Sequence, residues 1–363
     1  MTYLAYIVIV FTTIQLIVAF INWIFNQKLG AIGSNEKLVS ILIPARNEEK
    51  SIHNILRDIS FQNYHNYEVI VFDDESTDRT IEIVTEYLKH DLNVRLIASK
   101  GLPNGWLGKN YACHSLALEA KGDYYMFVDA DVRIKGNIIN KTLHFTQKQA
   151  LDLVSIFPKQ ILKSWGEWAT VPIMNYILLT LLPLILVRKI NLSSVAAANG
   201  QYMFFDARSY RNLLPHEAMK SEKVEDIKIA RYYKQKGKKI ACLASEADVR
   251  CKMYNSYTES VNGFSKNVTT FFGGSTLLAF SFWTITTVGF IPIFLIYDTK
   301  GLIFYIVTIL IIRFLVSLTS KQSVYKNIIY LLLQLVSLGL MIAKSIQHKL
   351  KKEHIWKGRN VLQ

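Results

Sequence analysis

The chain has 363 residues, 51% of them hydrophobic, and a formal net charge of +14. That charge does not mark a nucleic-acid binder: the basic residues flank apolar segments, as in "KSIQHKLKK" (residues 344–352), and no basic stripe interleaves with aromatics. The three cysteines, Cys113, Cys242 and Cys251, form no CxxC pair, which argues against a disulfide framework or a zinc site and leaves them as small buried hydrophobes of a reducing compartment.

Residues 4–25, "LAYIVIVFTTIQLIVAFINWIF", carry no charge and are long enough to cross a bilayer core of about 30 Å. Without a basic leader region or a small-residue cleavage site, this stretch reads as a retained anchor (residues 1–27) and not as a removed signal peptide. An α/β pattern then begins. "VSILIP" (39–44) is a buried strand, and Ile52, Ile55, Leu56 and Ile59 mark the inner face of a helix. "YEVIVFDD" (67–74) is a second strand, followed by a helix over 77–91 with Ile81, Val84 and Leu88 inward. A third strand covers 93–99, and a helix over 109–121 turns Cys113, Leu116, Ala117 and Ala120 inward. "YYMFVDAD" (124–131) is a fourth strand. Such alternation predicts a mainly parallel sheet with right-handed crossovers.

Residues 165–190 are apolar but broken by Pro172 and Pro183, which reads as an interfacial or re-entrant segment. "AAANGQYMFF" (196–205) is a loop entering a strand. A helix over about 222–236 follows, then two short strands near "KIACLAS" and "ADVRCKMY". Three further apolar stretches, 275–297, 302–319 and 327–343, form C-terminal membrane segments (275–345) ahead of a basic tail (346–363). Positive charge in that tail predicts a cytoplasmic C-terminus, with residues 356–359 close to the catalytic domain. Full crossing by all three C-terminal stretches would put the tail outside. The 302–319 stretch is therefore the one expected to lie in the interface or to pair with a partner helix, since an unpaired Arg313 within it costs at least about 2.5 kcal/mol.

Ligands of open α/β sheets bind beyond the carboxyl ends of the strands. Polar clusters stand at three such ends: "PARNEE" after the first strand, "DDESTD" after the second, and Asp129 with Asp131 after the fourth. The acids of "FVDADVRI" could simply face water where the strand stops, or could hold a divalent cation. Three acid-rich ends converging on one crevice favour the cation.

Taken together, "ILIPARNEE", "FDDESTD", "GWLGKNYACHSLALEAKGDYYMFVDADV", "ANGQYMFF" and "VEDIKIARYYKQKG" resemble the membrane-bound family 2 glycosyltransferases over about residues 38–268. The "GWLGK" stretch and the terminal "WKGRNV" are most similar to a lipid-directed branch that includes the diaponeurosporenoate glucosyltransferases of bacterial carotenoid synthesis. The resemblance implies an α/β GT-A nucleotide-diphospho-sugar transferase domain on the cytoplasmic face of a cell membrane, held by N- and C-terminal transmembrane helices. It implies a UDP-hexose donor. The Q-x-x-R-W string of processive synthases is missing, "VNGFSKN" standing in its region, so transfer of one sugar to a lipid acceptor is expected in place of polymer synthesis.

The resemblance also assigns roles. Pro44, Ala45 and Glu48 would contact the base and ribose, although Glu48 is equally a first-turn acid complementing a helix dipole. Asp73 and Asp74 end the second strand, and Asp74 would accept from the uracil N3–H, or the pair would open a capped turn. Lys109, beginning a helix after Gly108, would meet the diphosphate, or stand solvated. Asp129 and Asp131 would bind Mg²⁺ or Mn²⁺ with the donor phosphates. Asn199, Gly200 and Gln201 would line the sugar and acceptor, and Asp226 would be the catalytic base of an inverting displacement unless it lies on an exposed helix face. His216 matches a histidine that usually follows two glycines; here Leu214 and Pro215 precede it.

Overall fold

The computed structural model describes residues 1–33, 36–89, 93–351, 355–356 and 359–360 and divides into two compact units. The first unit comprises Gln27–Lys159 and Leu184–Cys251. Its sheet contains β1 (Val39–Ala45), β2 (Tyr67–Asp73), β3 (Val94–Ala98), β4 (Tyr124–Val128), β5 (Val132–Ile134), β6 (Leu153–Gln160), β7 (Tyr202–Asp206) and β8 (Ile240–Cys251). The order is β3-β2-β1-β4-β7-β6-β8-β5. The β3-β2-β1-β4 half is parallel throughout, as the alternating pattern requires. β7 then pairs antiparallel with both β4 and β6, and β5 with β8. Strands covered on both faces are apolar without alternation, and β1 shows this, with Val39, Ile41, Leu42 and Ile43 fully buried.

Local sequence explains where the helices stop and start. Ile52, Ile55, Leu56 and Ile59 are buried on the Ile52–Ser60 helix, as their spacing predicts. The next helix begins at Thr80 and not at Thr77, because the residues before it are engaged in the loop. The Thr77 N–H and hydroxyl both donate to Asn47 Oδ1, and Asp78 Oδ1 accepts from the Thr80 N–H. That helix turns Thr80 and Val84 inward, whereas Ile81, expected inside, is 39% exposed. The expected end of this helix at Asp91 lies outside the described residues. The Gly108–Glu119 helix buries Cys113, Leu116 and Ala117, but Ala120 is its half-buried C-terminal cap. The two short strands expected after residue 238 are one 12-residue strand, β8. Within it, buried Ser245 takes left-handed backbone at φ 37°.

The second unit comprises Met1–Asn26, Gln160–Pro183 and Lys252–Gln363. Among the described residues, three helices are long and apolar enough to cross a membrane: Thr2–Ile24, Thr276–Thr319 and Leu331–Leu350. The 44-residue one is not a single rod. Asp298 has φ 54° and ψ −157°, and its Oδ1 accepts from the Lys300 N–H at 2.7 Å. A Cβ placed on Gly289 would lie 3.2 Å from the Tyr305 hydroxyl. In a straight helix these residues would be about 24 Å apart at 1.5 Å per residue. The chain therefore folds back at Asp298, and Ile293 and Tyr305, one from each leg, pack on Ala5 and Val8.

Arg313, on the second leg, is 4% exposed but is not unpaired. Its Nη1 donates to Gln334 Oε1 at 2.7 Å and its guanidinium stacks 3.7 Å over the Tyr176 ring. The penalty expected for an unpaired Arg313 therefore does not arise. The Pro172–Leu181 helix is almost wholly buried, and where Pro183 ends it, Asn22 Nδ2 donates to the carbonyls of Leu179 and Leu182 at 2.9 Å each. In the tail, Ile355–Trp356 and Arg359–Asn360 form a short antiparallel pair. Residues 357–358, part of the segment expected near the catalytic domain, lie outside the described residues.

Candidate active site

The loops after β1 and β2 are stitched together. The Asp74 N–H donates to Ala45 O, Glu48 N–H to the Thr80 hydroxyl and Asn47 N–H to the Ser76 hydroxyl, at 2.8, 2.8 and 2.9 Å. Two non-glycine residues here, Asn47 and Glu75, take left-handed backbone at φ 53° and 57°. Such strain persists only where surrounding bonds fix it, and it marks a shaped loop. Pro44 and Ala45 end β1, as expected. Both acids of the Asp73–Asp74 pair are buried. The Arg46 guanidinium lies 3.7 Å from Asp74 Oδ2 and 3.8 Å from Glu75 Oε2, and it also donates to Asp74 O. Asp73 Oδ2 accepts from the Ser76 N–H at 3.1 Å, while buried Asp73 Oδ1 has no hydrogen-bond partner.

β4 ends at Val128, and the next residues form a tight turn into β5. The Asp129 N–H donates to Gln201 O at 3.1 Å, and the Val132 N–H returns to Asp129 O at 3.0 Å. Asp131 Oδ1 is buried without a partner. Burial, then the charges of Asp129 and Glu48, push the Asp131 carboxyl up to about 7. Glu48 thus bears on Asp131, and the ends of β1 and β4 do converge. An ionised oxygen acceptor with nothing to accept is costly to bury, and a hard cation relieves that cost. Among the described residues no group of three or more His, Cys, Asp or Glu is arranged for a metal. Asp129 and Asp131 fit the other mode of magnesium binding, in which one or two carboxylates are completed by substrate phosphates and water.

Lys109, on the first turn of its helix, is not a solvated lysine. Its Nζ lies 2.9 Å from Asp129 Oδ1, 3.4 Å from Glu225 Oε1 and 3.4 Å from Gly200 O. Desolvation lowers its pKa, but Asp129 and Glu225 outweigh this and leave it well above the ordinary value. The neighbouring Asn110 side chain donates to the carbonyls of Met219, Lys220 and Glu222. Those bonds hold 219–222 out of the following helix, which starts at Glu225 instead of Glu222.

Asp226 is on the first turn of that Glu225–Gln235 helix and points into the structure, not along an exposed face. Its Oδ2 accepts from the Gly200 N–H at 2.8 Å and its Oδ1 from the Ile227 N–H at 2.7 Å. Burial, then Glu225, push its carboxyl up to about 7. Gly200 fits here for want of a side chain: a Cβ would stand 3.1 Å from Glu225 Oε1 and 3.2 Å from Lys109 Nζ. Asn199 is fixed by Ser155, whose hydroxyl accepts from its N–H at 2.7 Å and donates to its carbonyl at 3.1 Å. Gln201 turns its side chain away from that loop, toward Cys251.

His216 lies in the aromatic core beside the site. It is fully packed among Phe127, Phe205 and Tyr210, shares a 2.6 Å hydrogen bond between its Nδ1 and the Tyr210 hydroxyl, and burial pushes its pKa down to about 3. Glu225 and Asn110 join the site without having been singled out. Glu225 had a signal in the sequence, as the first acid of "VED"; Asn110 had none.

Residues 40–211 match the family model described as Glycosyl transferase family 2. A 4,4'-diaponeurosporenoate glycosyltransferase of Staphylococcus haemolyticus (strain JCSC1435) is 36% identical over 131 residues, which is 36% of this chain and 34% of that protein. The enzyme of the same name from Staphylococcus aureus (strain USA300) is 33% identical over 150 residues, 40% of this chain and 39% of that protein. The match thus spans less than half the length of these curated relatives. Among solved structures, the mannosyltransferase PcManGT from Pyrobaculum calidifontis, in complex with GDP-Man and Mn²⁺, covers 95% of this chain and 99% of its own at a TM-score of 0.57 and 14% identity. At that identity the likeness establishes the fold alone, and the fold is the expected α/β GT-A arrangement with apolar helices at both ends of the chain.

Proposed function

We propose that this chain, which carries a glycosyl transferase family 2 domain over residues 40–211, transfers one hexose from a nucleotide-diphospho-sugar to a membrane lipid with inversion. UDP-glucose is the first-choice donor, and a carboxylic carotenoid such as 4,4'-diaponeurosporenoate the first-choice acceptor, in line with the names of the relatives. The observation that carries the reading is the convergence of Lys109, Asp129, Gly200, Glu225 and Asp226 through direct contacts at the carboxyl edge of β4. The base of the donor would lie against Pro44, Ala45 and Glu48, with buried acceptors from Asp73 and Asp74 for its N–H groups. Asp129 and Asp131 would hold Mg²⁺ or Mn²⁺, which neutralises charge on a departing diphosphate when bound.

Lys109 would release Asp129 and take a diphosphate oxygen. Asn199 and Gly200 line the sugar, and the Gly200 N–H keeps the Asp226 carboxylate aimed at one point. An incoming hydroxyl would lose its proton to Asp226; an incoming carboxylate has none to lose. The raised pKa of Asp226 gives a hydroxyl-bearing lipid (a diacylglycerol, hopanoid or polyprenyl phosphate) standing as the second reading, because a base near neutrality suits an alcohol. The membrane-embedded unit would keep the domain at the cytoplasmic face, where the donors are made.

The test uses the full chain in detergent with UDP-glucose, Mn²⁺ and each acceptor, and reads the product by mass spectrometry. Gain of one hexosyl unit on the carotenoid acid, abolished in Asp131→Asn and by chelator, is the expected result. Near-normal transfer in chelator removes the metal role. Failure of every lipid acceptor with every nucleotide-hexose overturns the assignment.

A further inference from the structure

Two cations of the second unit meet at one tryptophan. Arg313 is 4% exposed, and both of its partners, Gln334 and Tyr176, are neutral. They hold the guanidinium without balancing its charge, and its Nε is buried with no hydrogen-bond partner. Gln334, which accepts from Arg313 Nη1, donates through Nε2 to Trp168 O at 3.0 Å. The Lys326 ammonium stands over the Trp168 ring, 5.0 Å from its centroid. Trp168 Nε1 is likewise buried without an acceptor. Among the described residues neither Arg313 nor Lys326 forms an ion pair. Glu167, beside Trp168 in the chain, is turned instead to the Lys163 and Ser164 N–H groups and to Lys252.

We propose that Arg313, Lys326 and the Trp168 indole form a binding site for the acidic headgroup of a membrane lipid. Every unsatisfied group here is a cation or an N–H donor, so the partner they call for is an anionic oxygen. A phosphodiester or carboxylate carries several lone pairs on one small group, and it can accept from the guanidinium and the indole together while balancing the charge. The depth suits a lipid. From Arg313 to the end of its helix at Thr319 is about 9 Å at 1.5 Å per residue, within reach of the headgroup level for a long side chain. The short Val324–Ile329 helix that follows exposes Tyr325 and Ile329 beside Lys326, a mixture typical of the membrane interface. Those apolar neighbours favour a ligand with acyl chains over a free anion. Basic pockets between membrane helices bind anionic headgroups in this way.

The inference rests on reading the second unit as membrane-embedded, and the experiment separates the two. The full-length protein in neutral detergent is studied by native mass spectrometry with phosphatidylglycerol, oleate, phosphatidylcholine or inorganic phosphate added. Phosphatidylglycerol or oleate should bind at least about tenfold more tightly than phosphatidylcholine, as charged hydrogen bonds allow. Preference for phosphatidylglycerol identifies a phospholipid, and preference for oleate a carboxylic lipid; either supports the site. Lys326→Gln, at an exposed position, should weaken the acidic lipid about fivefold, the worth of one basic residue at an anionic surface. Arg313→Gln should weaken it at least about tenfold, with the thermal midpoint in lipid-free detergent as the check on folding. If Arg313→Gln does not fold, Lys326→Gln decides alone. Acidic-lipid affinity unchanged in the folded variants, or equal binding of acidic and zwitterionic lipid, overturns the site and leaves the membrane reading standing. Inorganic phosphate binding as tightly as phosphatidylglycerol overturns a lipid ligand. Release of the protein from membranes by alkaline carbonate overturns the membrane reading and the inference together.

Discussion

The pH dependence of transfer distinguishes the two acceptor classes, because Asp226 is held at about 7 by burial and by Glu225. With Asp226 as the proposed base, the ionised form is the active one and the sign follows: activity rises with pH as Asp226 loses its proton. Its ionised share grows from about one tenth at pH 6 to about nine tenths at pH 8, so kcat/KM with an alcohol acceptor should rise about tenfold across that window. A carboxylic acceptor is already ionised there and should give a nearly flat profile. Saturating Mn²⁺ must be present, since Asp131 also lies near 7 in the metal-free protein. Asp226→Asn sharpens the contrast. Asparagine can serve only one of the two N–H groups, of Gly200 and Ile227, that Asp226 now satisfies. It turns an NH₂ on the other, a misfit of about 1–3 kcal/mol. That positional cost is common to both acceptors, whereas loss of the base adds about 10² to 10⁴ for the alcohol only. Coupled detection of UDP release measures both. A pH limb that persists in Asp226→Asn, or an alcohol profile flat from pH 6 to 8, would refute the assignment of the base.

Gly200→Val should reduce transfer by at least about tenfold with little change in thermal midpoint, because even a Cβ crowds Glu225 and Lys109 and the reacting groups must shift; unchanged kcat would show that the contact is unimportant. Arg313→Ala should lower stability in detergent by about 1–3 kcal/mol, since Gln334 Oε1 loses its buried donor, and a thermal-shift assay reads it. Gly339→Leu should be similarly destabilising, at about 1–3 kcal/mol of overpacking. A Cβ at Gly339 would stand 2.8 Å from the Trp283 ring, whose Nε1 donates to Leu335 O, so tryptophan fluorescence reports the displacement.

How much of this was legible in the sequence varies with the range of the contact. The apolar run of β1 and the Ile52, Ile55, Leu56, Ile59 stripe record their own burial, because strand and helix periods act within a few residues. Motif order is what singled out Asp129, Asp131 and Asp226 as candidates, and the structure brings Asp129 and Asp226 to Lys109 and Gly200. The late helix starts at Thr80 and Glu225 were not, since each is set by a side chain from a distant segment: Asn47 in one case, Asn110 in the other. The antiparallel β7 and the single long β8 depend on pairings across more than 70 residues, which no local pattern encodes. Arg313 shows the same limit in the second unit. Its charge is visible in the sequence, but its partners Gln334 and Tyr176 come from other helices, and they remove the penalty that argued against burial.

The charge balance of the site also bears on the order in which ligands arrive. Glu48, Asp129, Asp131, Glu225 and Asp226 are close enough to influence one another or the Lys109 ammonium. Asp131 and Asp226 each sit near 7, well above the ordinary carboxylate range, because burial and a neighbouring acid both oppose ionisation. A donor diphosphate brings further negative charge to a point where carboxylates already repel. Lys109 alone does not offset it, being engaged by Asp129 and Glu225 before the donor comes. With Asp129 and Asp131 holding a divalent cation, as proposed, both sides of that balance would change, and the Lys109 ammonium would be free for phosphate. The arrangement therefore favours a metal-complexed nucleotide over the bare one. In the structure, Lys109 is the cation that Asp129 and Glu225 share.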